Sequence, residues 1–146
     1  MRIIKEGDGK STEESVQFFK DHYGELGQIQ YIILYYAEHE WAVARNPEIY
    51  HQFVIIVGEE AQLWMSGLTW GYDGTGPYGL FTVIQLIESD ITYKDIIALE
   101  WLAEDPIVYK KMDGRLVLTH LDETAKSMIC RENKYLPWDF RGCKLR

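Results

Sequence analysis

The first apolar stripe along the chain begins directly after a capping box. Ser11-x-x-Glu14 has the residue types of that motif, and apolar side chains then recur at helical spacing until the chain reaches Gly24. The pattern predicts a first helix from about Thr12 to Tyr23.

Two runs of strand-forming residues follow in the middle of the chain. Phe53 to Val57 and Gln62 to Leu68 are separated by Gly58-Glu59-Glu60, which predicts an antiparallel hairpin at the centre of a sheet. The segment from Ile29 to Arg45 combines β-branched and aromatic residues with an apolar stripe at helical spacing. Strand and helix therefore both stay open for that segment.

Two helices are predicted next. Pro77 stands where a first helical residue is favoured, and an apolar face follows it. Thr92-x-x-Asp95 has the form of a second capping box, and it predicts a helix that continues to about Glu104.

A second hairpin and a last helix complete the pattern. Asp113-Gly114 lies between Ile107 to Met112 and Arg115 to Thr119, and this dipeptide between apolar runs is a strong hairpin signal. A final helix is predicted from about Asp122 to Cys130.

These elements predict an α+β fold. We expect an antiparallel sheet containing the hairpin near 53–68, helices packed on one face, and a second small hairpin near 107–119. No repeat or linker interrupts the sequence, so residues 1–146 are expected to form a single domain, with 132–146 as an irregular basic tail.

The composition agrees with a globular domain in a reducing compartment. Hydrophobic residues make up 47% and charged residues 26% of the chain, both near globular averages. No apolar window is long enough to span a membrane, no export signal begins the sequence, and the cysteines are few, Cys130 and Cys143. We therefore expect a cytoplasmic protein with no membrane partner, no cofactor and no metal.

The charge is unevenly distributed. The net charge is −8, but residues 126–146 carry six basic and two acidic side chains. An acidic body repels nucleic acid phosphates, which disfavours nucleic acid as the main partner.

The most informative stretch runs from Trp70 to Leu80 and has four glycines in nine residues. Glycines between a strand and a helix often let a ligand approach the backbone, and the amides at a helix start attract anions. The candidate ligand-binding residues are Trp70, Gly71, Tyr72, Asp73, Gly74, Thr75, Gly76 and Tyr78, with Arg141 to neutralise the ligand. On this hypothesis Gly76→Val abolishes binding without unfolding the domain. The alternative is a purely structural turn.

Two resemblances accompany these residues. Trp70-Gly-Tyr-x-Gly-x-Gly-Pro77 resembles a motif of small bacterial and phage-type proteins of unknown function, and it implies no activity. Pro77 to Lys126, with two helices and a hairpin, is similar to a winged-helix domain, which would bind DNA. The expected reading helix is acidic, however, which disfavours that use.

No catalytic mechanism emerges from the sequence. Glu38-His39-Glu40 is the best local cluster, but adjacent side chains seldom face one site. We therefore favour a non-enzymatic binding protein that holds a small anionic, nucleotide-like ligand at the glycine-rich loop. The alternatives are a phage-type inhibitor or interaction protein that binds a host macromolecule, and a winged-helix DNA-binding regulator. Self-association into a homo-oligomer stays open.

Overall fold

The fold is described from a computed structural model, which covers residues 2–7, 10–38, 50–87, 89–101, 106–120 and 122–124. Side chains are described over the same ranges, apart from 35–38 and 50–52. Several predictions lie outside the described residues. They concern His39, most of the helix predicted from Asp122 to Cys130, the tail 132–146, and Arg141 within that tail.

The described chain contains strands and helices in the order β1-α1-β2-β3-β4-α2-α3-β5-β6, with a 3-10 turn at Tyr23–Glu25 directly after α1. The strands are β1 Arg2–Lys5, β2 Ile29–Glu38, β3 Tyr50–Gly58, β4 Ala61–Met65, β5 Ile107–Met112 and β6 Arg115–Thr119. The helices are α1 Thr12–His22, α2 Thr75–Leu86 and α3 Tyr93–Ile97.

The strands form one six-stranded mixed sheet in the order β1-β4-β3-β2-β5-β6, which confirms the α+β fold class. The predicted hairpins are both present, as β3–β4 and β5–β6. The sheet is not wholly antiparallel, however, because β1 runs parallel to β4. β1 was not predicted, since Arg2–Lys5 is too short to show a period. The second hairpin is also not separate, because β5 pairs with β2.

The segment that was ambiguous in sequence is a central strand over Ile29–Glu38. β2 pairs with β3 on one side and β5 on the other. Its neighbours Ile32 and Ile33 point to opposite faces, yet both are fully buried. A strand buried on both faces reads as a continuous apolar run, so its sequence does not alternate. That burial explains why periodicity alone left this strand undecided.

The three described helices pack on one face of the sheet, in agreement with the prediction for this part of the chain. Ile32 and Leu34 of β2 and Val54 and Ile56 of β3 share one core with the helices. The helical side chains in this core are Phe19 of α1, Leu80, Val83 and Ile84 of α2, and Ile96 of α3. This burial of apolar surface is the main source of stability for the arrangement.

Three predicted boundaries were wrong. β4 ends at Met65 rather than Leu68, because Gly67 lies against α1, where its amide donates to the Ser15 hydroxyl. α2 begins at Thr75, so that Pro77 is its third residue instead of its first. α3 ends at Ile97 instead of near Glu104, and the chain beyond it turns toward the glycine-rich loop.

Candidate functional site: the glycine-rich loop and its aromatic patch

Gly71 is required by the fold itself. Its φ of +88° lies in the left-handed region that favours glycine, and a Cβ there would lie 2.6 Å from Trp101 Cα. Its amide donates to the Ile96 carbonyl at 3.1 Å. The close approach to this glycine is therefore made by the chain after α3, and its N–H group is already in use.

Gly74 and Gly76 are also packed against the protein. A Cβ on Gly76 would lie 1.9 Å from Thr69 Oγ1, and one on Gly74 would lie 2.7 Å from the Tyr72 ring. The Gly74 amide donates to the Tyr93 hydroxyl at 3.1 Å. Gly76→Val would consequently disturb the fold, so this substitution does not separate binding from folding as the sequence suggested.

Trp70 belongs to the core. Its side chain is fully enclosed, and its indole N–H donates to the Glu100 carbonyl at 3.1 Å. A buried ring gives no open face for stacking, so the structure places this predicted site residue beneath the loop rather than on it.

Five aromatic side chains lie together around the start of α2, and we call them the aromatic patch. Tyr78 contacts Phe81 and Tyr93, with ring centroids 6.0 and 5.6 Å apart, and Phe81 also contacts Tyr93 at 5.9 Å. Tyr72 contacts Trp101 edge to face at 6.3 Å. Tyr72, Tyr78 and Trp101 are 43%, 59% and 54% exposed.

Hydrogen bonds join the two halves of the aromatic patch. The Tyr93 hydroxyl donates to Asp73 and accepts from the Gly74 amide, beside the Tyr72 ring. The bond to Asp73 raises the pKa of Tyr93, because it stabilises the protonated phenol. The Tyr72 hydroxyl bonds to Thr69 Oγ1 at 2.9 Å. These bonds hold the rings in place while their faces remain partly open.

Two backbone amides at the start of α2 have no partner within the described part of the chain. They belong to Thr75 and Gly76, the first two helical residues, as is usual at a helix start. The surrounding charge opposes an anion. Among the described residues from 69 to 101 there is one basic side chain, Lys94, and the acidic ones are Asp73, Asp95, Glu100 and Asp90, of which Asp90 is paired with Arg115.

The sequence anticipated only part of this site. It named Tyr72, Asp73 and Tyr78, which the structure brings together at the surface. It missed Phe81, although the spacing of three residues from Tyr78 puts both on one helix face. Tyr93 and Trp101 carry no local signal, because folding alone brings α3 beside the loop.

The hairpin β5–β6 does not lie where the wing of a winged-helix domain would lie. It is part of the main sheet through the pairing of β5 with β2, and α3 has five residues. This arrangement gives no support to the winged-helix resemblance.

The fold and the aromatic patch thus define an α+β domain with an open aromatic surface. Comparisons with models of protein families, with curated proteins and with solved structures find no match. Across the described ranges, no helix combines the length and the apolar character needed to cross a bilayer.

Proposed function

We propose that this chain is a non-enzymatic, cytoplasmic binding protein whose aromatic patch receives an apolar, basic segment of a partner protein. The observation that supports this proposal is the pair of neighbouring aromatic groups, Tyr72 with Trp101 and Tyr78 with Phe81 and Tyr93, of which Tyr72, Tyr78 and Trp101 are about half exposed. The compartment is inferred from the small number of cysteines in the sequence.

Exposed aromatic clusters are typical of protein interfaces. Tyr and Trp bury a large area on binding and lose little conformational freedom, and they are enriched among residues that dominate binding energy. The hydroxyl bonds of Tyr72 and Tyr93 hold two of these rings before any partner arrives. A preorganised surface pays less ordering entropy on association.

The charge around the aromatic patch favours a basic partner. Asp73 lies within the patch, bonded to Tyr93, and Asp95 and Glu100 lie on or just after α3, against Lys94 alone. Carboxylates attract Arg and Lys side chains, and aromatic faces add a cation–π attraction for the same groups. A segment that combines basic and apolar side chains therefore matches this surface.

A second candidate is the small anionic, nucleotide-like ligand. It is favoured by the amides of Thr75 and Gly76, which have no partner in the described residues, and by the rings of Tyr72 and Tyr78 beside them. The carboxylates of Asp73, Asp95 and Glu100 oppose it. For this reason the protein partner is the first proposal.

Peptide binding tests the first proposal. Pools of twelve-residue peptides of basic–apolar, neutral–apolar and acidic–apolar composition are passed over the immobilised full chain, and affinities are measured by calorimetry. We expect retention of the basic–apolar pool. Tyr78→Ala and Trp101→Ala should each weaken binding by about tenfold or more, as interface aromatics do.

Met112→Ala is the matched control, because Met112 is 47% exposed on the distant β5–β6 hairpin. It should leave the affinity unchanged. Equal retention of acidic peptides, or equal loss of binding in Met112→Ala, would contradict the proposal. Micromolar binding of ATP that is lost in Tyr78→Ala, with no peptide retained, would replace it by the small-ligand candidate.

A further inference from the structure

The two edges of the sheet differ in how they are protected. β1, at one edge, is short and carries a charged residue at each end, Arg2 and Lys5. β6, at the other edge, places Val117 and Leu118 at the surface, 41% and 56% exposed. Within the described ranges, no strand pairs with the outer side of β6. Edge strands are normally protected by charge, proline or a bulge, and the exposed middle of β6 has none of these.

The turn before β6 determines which backbone groups face outward. Asp113 and Gly114 have φ values of 50° and 79°, as in a two-residue turn of type I′. The closing pair Met112–Arg115 is then hydrogen-bonded, and bonded pairs alternate along the hairpin, so that Val117 bonds to β5. The N–H and C=O groups of Leu116 and Leu118 consequently point away from the sheet.

We propose that β6 pairs antiparallel with β6 of a second copy of this chain, about a twofold axis at Val117. In this register Leu116 lies opposite Leu118 of the second copy, and both pairs exchange two backbone hydrogen bonds. The backbone N–H and C=O groups that point outward from one strand therefore lie directly opposite those of the other strand. The two sheets become one continuous sheet.

The side chains in this register are self-complementary. The exposed Leu118 packs beside Leu116 of the second copy, while Val117 meets its own counterpart on the other face. Arg115 lies opposite Thr119, so the two Arg115 side chains are at opposite ends of the paired strands. Each Arg115 is already paired with Asp90 of its own chain. Like charges therefore do not face each other across the axis.

Symmetry favours a second copy over a different partner. Pairing of one strand with itself about a twofold axis uses the whole exposed edge and closes the assembly as a dimer. The edges left at the two ends are then the charged β1 strands. Further strand addition is disfavoured there, so the dimer does not grow into a fibre.

Sedimentation and light scattering on the full chain test the proposal. We expect a particle of twice the 17.1 kDa mass of one chain. Val117→Lys places two ammonium groups together at the axis and should yield monomers with an unchanged circular dichroism spectrum. Met112→Lys, equally exposed on the same hairpin but outside the paired strand, should remain dimeric.

A disulfide tests the register itself. In a chain with Cys130→Ser and Cys143→Ser, Val117→Cys should form an intermolecular disulfide on mild oxidation. The reason is that opposite residues of a non-hydrogen-bonded pair have Cα atoms about 4.5 Å apart, within disulfide range. Met112→Cys should stay reduced. The proposal is overturned by a monomer at all concentrations, a dimer that survives Val117→Lys, a reduced Val117→Cys, or a different chain bound at β6.

Discussion

At the scale of single residues, glycine in this protein serves close packing more than ligand access. Gly76 is a clear case, because the smallest added carbon would lie 1.9 Å from Thr69 Oγ1. Gly24 is the opposite case, since a Cβ there would meet nothing within 4 Å. The two positions therefore predict opposite effects of the same substitution.

Gly76→Ala should destabilise the fold by about 1 to 3 kcal/mol, the usual cost of overpacking a filled site. Gly24→Ala should be neutral or slightly stabilising, because it only restricts the unfolded chain. Urea unfolding followed by fluorescence measures both. Equal stability of the two variants would show that the packing around Thr69 relaxes freely. Adding Thr69→Ala should recover part of the loss in Gly76→Ala, because it removes the hydroxyl oxygen nearest the new Cβ.

At the scale of elements, both capping boxes seen in the sequence are formed. Ser11 accepts from the Glu14 amide while the Glu14 carboxylate accepts from the Ser11 amide, and Thr92 and Asp95 do the same. These bonds are local in sequence, so they form wherever the helix does. The Ser11 box also lowers the pKa of Glu14, because the hydrogen bond from the Ser11 amide to its carboxylate stabilises the charged form.

Ser11→Ala should therefore cost about 1 kcal/mol of unfolding free energy, the typical value for a lost N-cap. Ser11→Asp should stay close to the original protein, since aspartate caps equally well. Guanidinium unfolding measures the difference. A loss of the same size in both variants would show that the N-cap is not the source of the stabilisation.

At the scale of the whole molecule, Glu6 joins three parts of the fold. Its Oε1 accepts from Ser15 of α1 at 2.6 Å and from the Ser66 amide after β4 at 3.1 Å, while Oε2 is buried without a partner in the described residues. Burial raises the pKa of Glu6, and this effect exceeds the lowering by the hydrogen bonds from Ser15 and Ser66 and by the charge of Lys10. The folded state thus holds the proton more tightly than the unfolded chain.

Because the pKa of Glu6 is raised in the folded state, its contribution to stability decreases as pH rises. The contribution of Glu6 is fully present below the pKa of the unfolded chain and is lost as pH rises through the higher pKa of the folded state. Glu6→Gln keeps an oxygen for both hydrogen bonds and removes the charge. Its melting temperature, relative to the original protein, should therefore rise between pH 4 and pH 7. A constant or falling difference in thermal melts would contradict the assignment.

Much of the fold was predictable because its signals are local. The hairpin at Asp113-Gly114 follows from two residues that accept positive φ, and α1 follows from a capping box and an apolar stripe. The aromatic patch was half predictable, since Tyr72 and Tyr78 are near in sequence, whereas Tyr93 and Trp101 arrive with α3 and the chain after it. Local sequence patterns do not show that α3 and the chain after it lie beside the loop.

The sequence by itself determined where most elements lie, their type, and the α+β class, because periodicity and turn chemistry act over a few residues. Tertiary structure decided the strand identity of Ile29–Glu38, the parallel pairing of β1, and the burial of Trp70. It also decided that other parts of the chain occupy the space beside Gly71 and Gly76. The physical reason is common to all four: burial on both sides, and contact between distant segments, depend on what the rest of the chain places nearby.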